Sequence, residues 1–172
     1  MNASKTEAES CFIDTNIWLY AFTVGNDSEK TVRAKTLIET QSVIFVSTQV
    51  INEVCVNLLK KAYFSEQQIQ QLIESFYAKY GVVEFSKSQM LRASTLREQH
   101  ALSFWDSLIV ASALAINSTV LYAEDMQDGL VIEQRLRIMN PLKESRQIAG
   151  PAEGGSAQQS PPARPRPTSG SE

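Results

Sequence analysis

Four carboxylates in this 172-residue chain occupy comparable places: Asp14, Glu53, Asp106 and Asp125. The apolar run Cys11–Phe12–Ile13 leads directly into Asp14, and Thr119–Val120–Leu121–Tyr122 leads into Glu124–Asp125. Ser103–Phe104–Trp105–Asp106 opens an apolar helix, and Glu53 sits early in another. In an open parallel sheet, ligands bind beyond the carboxyl ends of the strands, and all four acids fall near such an edge. An acid directly after a buried strand is costly unless it is paired or bound to a cation. The chemistry that this pattern predicts is a divalent-metal site acting on a phosphate ester, because hard carboxylate oxygens are the ligands that Mg²⁺ and Mn²⁺ prefer.

Each acid also has an ordinary reading. Asp106 stands three residues after Ser103, where an acid favours a helix start. Glu53 alone is a solvated helix residue, and Asp125 lies in a turn-forming stretch with Asp128 and Gly129. Taken together, the four acids favour the site. Other chemistries have less to stand on. His100 is the only histidine, which excludes a multi-histidine metal centre, and its place at a helix end explains it. No Gly-rich phosphate loop or dinucleotide fingerprint is present. Trp18 and Trp105 are expected in the core rather than stacked on bases.

The acids are to be positioned by alternating strands and helices. Apolar runs at Cys11–Ile13, Val43–Val46, Val82–Phe85, Thr119–Tyr122 and Leu136–Met139 read as strands. Helices are expected from Ile17 to Phe22, from Asp27 or Ser28 to Thr40, and from the Ser47–Thr48 cap to Lys61. Further helices run from the Ser65 capping box to Lys79, from Ser86 to Gln99, and from Ser103 onward. This alternation predicts an α/β fold, a three-layer α/β/α sandwich with a mostly parallel sheet of about five strands. Residues 1–10 read as a flexible N-terminus and residues 11–142 as one domain. The Pro/Gly/Ser-rich stretch 143–172 reads as a disordered tail.

Over residues 1–142 there are 12 basic and 16 acidic side chains, a net charge of −4 that falls to zero once the four named acids are set aside. A pI near 5.3 argues against binding nucleic acid by bulk electrostatics alone. No stretch is apolar enough to span a bilayer, and Cys11 and Cys55 make no metal-ligand spacing, so a reduced cytoplasmic protein is expected.

The motifs are similar to those of a known family. Phe12-Ile13-Asp14-Thr15-Asn16-Ile17-Trp18-Leu19-Tyr20 and Ser47-Thr48-Gln49-Val50-Ile51-Asn52-Glu53 resemble the first two motifs of PIN-domain nucleases. Phe104-Trp105-Asp106-Ser107-Leu108-Ile109-Val110-Ala111-Ser112-Ala113 and Leu121-Tyr122-Ala123-Glu124-Asp125-Met126-Gln127-Asp128-Gly129 resemble the last two. Order and spacing match over residues 10–142, and within the family the chain looks like the bacterial toxin type often called VapC. The resemblance implies a Mg²⁺- or Mn²⁺-dependent ribonuclease, usually a homodimer, neutralised by an antitoxin protein. It makes Asp14, Glu53, Asp106 and Asp125 the metal ligands and catalytic acids, supported by Thr15 and Asn16, with Asp128 ranked below them. Ala123 departs from the pattern, standing where relatives often carry a Ser or Thr hydroxyl. Two alternatives stay open: a non-catalytic RNA- or protein-binding module that keeps the fold, and a DNA-directed nuclease.

Overall fold

A computed structural model describes residues 10–23 and 28–143 of the chain. Residues 1–9 of the expected flexible N-terminus, the Asp27 cap and the tail beyond Lys143 lie outside the described residues, whereas Ser10 belongs to the first strand rather than to the terminus.

Strand β1 (Ser10–Ile13) leads into helix α1 (Thr15–Phe22), α2 (Ser28–Thr40) and β2 (Val43–Ser47). Next come α3 (Thr48–Lys61), α4 (Glu66–Lys79), β3 (Gly81–Val83), α5 (Lys87–His100) and α6 (Phe104–Ala115). The order closes with β4 (Val120–Tyr122), β5 (Val131–Ile132) and β6 (Leu136–Met139). Serines set the helix starts: the hydroxyls of Ser47, Ser65, Ser86 and Ser103 each accept the backbone N–H three residues on, which satisfies a donor the helix cannot use. At Ser65 and Ser86 the partner glutamine also bonds back, completing the capping boxes.

The strands form one sheet in the order β3-β2-β1-β4-β6-β5, parallel except for the β5–β6 pair. The helices flank it in an α/β/α sandwich. The sheet has six strands rather than the five expected, because Val131–Ile132 pairs antiparallel with β6 across a turn at Glu133 and Gln134, both with positive φ. β3 also ends at Val83 rather than running on to Phe85.

Two features of this topology position the site. The chain winds outward from β1 in one direction through β2 and β3, and in the other through β4 and β6. The strand order therefore reverses between β1 and β4, where a crevice opens at the carboxyl ends. Helices α1 and α3 leave that edge after their strands, and α6 begins there before running back to feed β4.

The core joins the sheet to the helices through Phe12, Ile13, Ile17, Val46, Leu58, Leu114, Leu121 and Ile138, all fully or almost fully buried. Trp18 is buried as expected. It packs against Phe22, Phe76 and Tyr80 and donates from Nε1 to the Ile13 carbonyl at 3.3 Å, tying α1 and α4 to the end of β1. Trp105 corrects the expectation: it lies in the first turn of α6 and is 61% exposed. Among the described residues no helix is long and apolar enough to cross a membrane.

Candidate metal and phosphate site

Asp14 emerges from the central strand β1 at the crevice, and its backbone N–H donates to the Tyr122 carbonyl at 3.0 Å, which fixes it against β4. It stands at the N-cap position of α1 without making the side-chain capping bond. Glu53, in the second turn of α3, faces it. Asp106 lies in the first turn of α6, and Asp125 follows β4. All four line one pocket of 250 Å³, together with Thr15, Asn16, Gln49, Asn57, Lys61 and Trp105.

Hydrogen bonds hold two of the acids in place. Glu53 accepts from Thr15 Oγ1 at 2.7 Å through one oxygen and from Gln49 Nε2 at 2.9 Å through the other. Asn16 Nδ2 donates to Asp125, joining the residues after β1 to the loop after β4 across 109 positions of sequence. Thr15 and Asn16 thus each orient a carboxylate from a different element.

The electrostatics show what the cluster lacks. Burial pushes the Asp14 carboxyl up to about 7 from an ordinary 3.8. A backbone hydrogen bond from Thr15 pulls it the other way, while the charges of Glu53, Asp106 and Asp125 add to the rise. Lys30, a nearby cation, is occupied elsewhere, bonded to Glu124 at 2.7 Å and to Tyr20. An excess of negative charge in a half-enclosed cleft is what a dication would relieve.

The donors fit a small hard cation. Among the described residues no three acids form a ready-made coordination sphere, since Glu53 and Asp125 are drawn toward their amide and hydroxyl partners. Mg²⁺ takes only one or two carboxylates directly and keeps several waters, so an open arrangement of oxygens around the pocket suits it. Asp14 is the most buried of the four by its electrostatics, and the other three line the same pocket.

Asp128 is not brought to this pocket. It accepts from the Asn140 backbone N–H at 2.8 Å and from Lys143 Nζ at 3.0 Å, and these contacts hold its carboxyl below the usual range. Ala123 is fully buried, with its N–H donating to the Met139 carbonyl. Of the basic residues, Arg92 pairs with Glu133, and Arg97 bonds Ser107 at 2.8 Å, whereas Lys61 lines the pocket. Sequence reading passed over Gln49 and Asn57. Their signal was a polar stripe at four-residue spacing (Gln49, Glu53, Asn57, Lys61), one face of a helix turned toward the acids.

The PIN domain family profile matches residues 11–128, more than half of the chain and all four acids. The chain belongs to the PIN domain family. Solved structures that share the fold of this PIN domain include a toxin–antitoxin complex from Klebsiella pneumoniae. It is 22% identical, with 76% of this chain and 97% of that one covered at a TM-score of 0.59. A second is Mycobacterium tuberculosis VapC20, described as a sarcin–ricin loop-cleaving toxin, at 19% identity, 67% and 89% coverage and a TM-score of 0.57. A third is VapBC2 of Rickettsia felis bound to a promoter DNA fragment, at 23% identity, 76% and 99% coverage and a TM-score of 0.53. Comparison with curated protein sequences finds no match.

Proposed function

We propose that this PIN domain is a divalent-metal-dependent endoribonuclease that hydrolyses RNA phosphodiester bonds and serves as the toxin of a toxin–antitoxin pair. The observation that carries the reading is the meeting of Asp14, Glu53, Asp106 and Asp125 in one pocket, with the Asp14 carboxyl pushed up to about 7. Membership of the PIN family and the toxins among the structural neighbours support it. The partners that follow are an RNA substrate, a cognate antitoxin protein and a second copy of the chain.

Bound Mg²⁺ or Mn²⁺ would supply charge to polarise the scissile phosphate and acidify an attacking water. The residues of the chain do the positioning. Asp14 and the three other acids would hold the ion, directly or through its waters, while Thr15 and Gln49 fix the Glu53 carboxylate and Asn16 fixes Asp125. Lys61, at the rim, places a positive charge where the substrate backbone would approach. The N-termini of α1 and α6 turn partly positive ends toward the same edge.

The test is cleavage of a total small-RNA pool by purified, antitoxin-free protein in Mg²⁺, Mn²⁺ and EDTA, beside Asp14→Asn. Discrete products that need both the metal and Asp14 are expected. Metal-independent RNA binding without turnover would make the chain a binding module, and preferential cleavage of DNA would make it a DNA-directed nuclease.

A further inference from the structure

Beside the carboxylate pocket lies a second groove of 450 Å³, lined by Thr48, Gln49, Asn52, Glu53, Phe85 and Trp105. It shares Gln49, Glu53 and Trp105 with the pocket that holds the acids, so a group lying in it is the immediate neighbour of whatever the acids bind. Its aromatic members are open, with Trp105 61% and Phe85 36% exposed. An exposed tryptophan leaves a large apolar area in water, which is an informative departure from core packing.

The indole is also supported. Phe104 meets it edge to face at 5.2 Å and 85°, and the Arg97 guanidinium lies over the Phe104 ring at 4.7 Å while bonding Ser107. Arg97, Phe104 and Trp105 thus form a ladder that holds the indole at the groove.

A second observation comes from Gln49. Its side chain is 7% exposed, and its Oε1 is a buried acceptor with no hydrogen-bond partner among the described residues. The amide orientation follows from Nε2, which donates to the Glu53 carboxyl group at 2.9 Å and leaves Oε1 as the free acceptor. A buried acceptor left bare is costly and calls for a donor from outside.

An aromatic wall beside an amide and hydroxyl floor suits a nucleobase, which stacks by its face and bonds by its edge, better than an aliphatic side chain. We infer that this groove seats the nucleotide flanking the scissile phosphodiester, with its base stacked on Trp105 and an N–H or O–H donor of that nucleotide meeting Gln49 Oε1. The inference rests on the ribonuclease reading and deepens it to a specificity site.

The test measures affinity apart from turnover. Fluorescein-labelled single-stranded hexamers of adenosine, purine riboside, 2′-deoxyadenosine and fully abasic ribose are titrated by anisotropy in Ca²⁺, with tryptophan emission followed in parallel. Trp105→Ala should weaken the adenosine hexamer by about 10- to 100-fold and leave the abasic hexamer unchanged. The intact protein should show emission quenched by the base-bearing hexamers, because only Trp105 of the two tryptophans is exposed. Loss of affinity with purine riboside would identify the exocyclic amine as the donor, and loss with the deoxy hexamer would identify the 2′-hydroxyl.

Gln49→Leu, checked for folding by thermal melting, should erase that discrimination; discrimination that persists removes Gln49 from the site. Equal affinities for Trp105→Ala and the unaltered protein, or no binding by either, overturn the inference and leave the groove to a protein partner. Binding that follows the expected pattern without cleavage in Mg²⁺ or Mn²⁺ keeps the groove and sinks the ribonuclease reading instead.

Discussion

Replacing Asp14 with Asn should stabilise the metal-free protein while removing its activity. Asn keeps the shape and an oxygen to accept the Thr15 backbone N–H, but it carries no charge beside Glu53, Asp106 and Asp125. The Asp14 carboxyl is raised from 3.8 to about 7, and at about 1.4 kcal/mol per unit this amounts to about 4 kcal/mol when the group is ionised. The folded state binds this proton more tightly than the unfolded chain. The contribution is therefore fully present below pH 3.8 and is lost as pH rises through about 7. Metal-free native protein should gain about 3 kcal/mol on going from pH 8 to pH 5, and Asp14→Asn should lack that gain. At pH 8 the variant should be the more stable by about 2–4 kcal/mol, read from urea midpoints at constant slope in EDTA. Millimolar Mg²⁺ should then stabilise the native protein and leave the variant nearly unmoved. A variant less stable than the native protein at pH 8 in EDTA would show that Asp14 carries no electrostatic burden, and the argument for a cation at this place would fail.

Thr15→Val removes the hydroxyl that holds Glu53 at 2.7 Å and should lower RNA cleavage by about 10- to 100-fold with the melting temperature little changed. Asp128→Asn should leave cleavage intact, whereas Asp125→Asn should abolish it; equal losses in a side-by-side gel assay would put Asp128 back among the functional acids. Trp18→Ala should cost about 3–5 kcal/mol in urea unfolding, since it empties the junction of α1 and α4 and frees the Ile13 carbonyl. Ser65→Ala should cost about 1 kcal/mol by the same measurement, with no effect on activity, because Ser65 does not line the pocket.

Most elements were legible because their causes are local. Interior parallel strands are buried on both faces and read as short apolar runs, and four serine caps mark four helix starts. β5 escaped for a local reason too. The turn joining it to β6 places Glu133 and Gln134 at positive φ, where Gly or Asn would have announced a hairpin. The meeting of the acids was foreseen from their shared place at the strand edge, and the order of the sheet explains why that edge is a crevice. What surrounds them was harder to read. Gln49 is a polar residue whose burial depends on Glu53 and Trp105 approaching it in space. Trp105 is of a type that core packing favours, and its exposure depends on how the first turn of α6 is placed in space. Asp128 sits three residues from Asp125, but the turn at Gly129 directs it to Asn140 and Lys143.

The place of β1 between β2 and β4 also governs when the site can exist. A chain leaving the ribosome can pair β1 with β2 early, bringing Asp14 and Glu53 onto a half-built edge. Asp125 and β4, which closes the other side of β1, follow only after most of the 172 residues have been made. At ordinary rates of synthesis, reaching Asp125 takes roughly 6–25 s, during which the acid cluster lacks a member and its crevice lacks a wall. The cluster is incomplete in any polysome-bound fragment that ends before β4. The winding order of the sheet thus acts as a timer, withholding the complete cluster until the domain is nearly made.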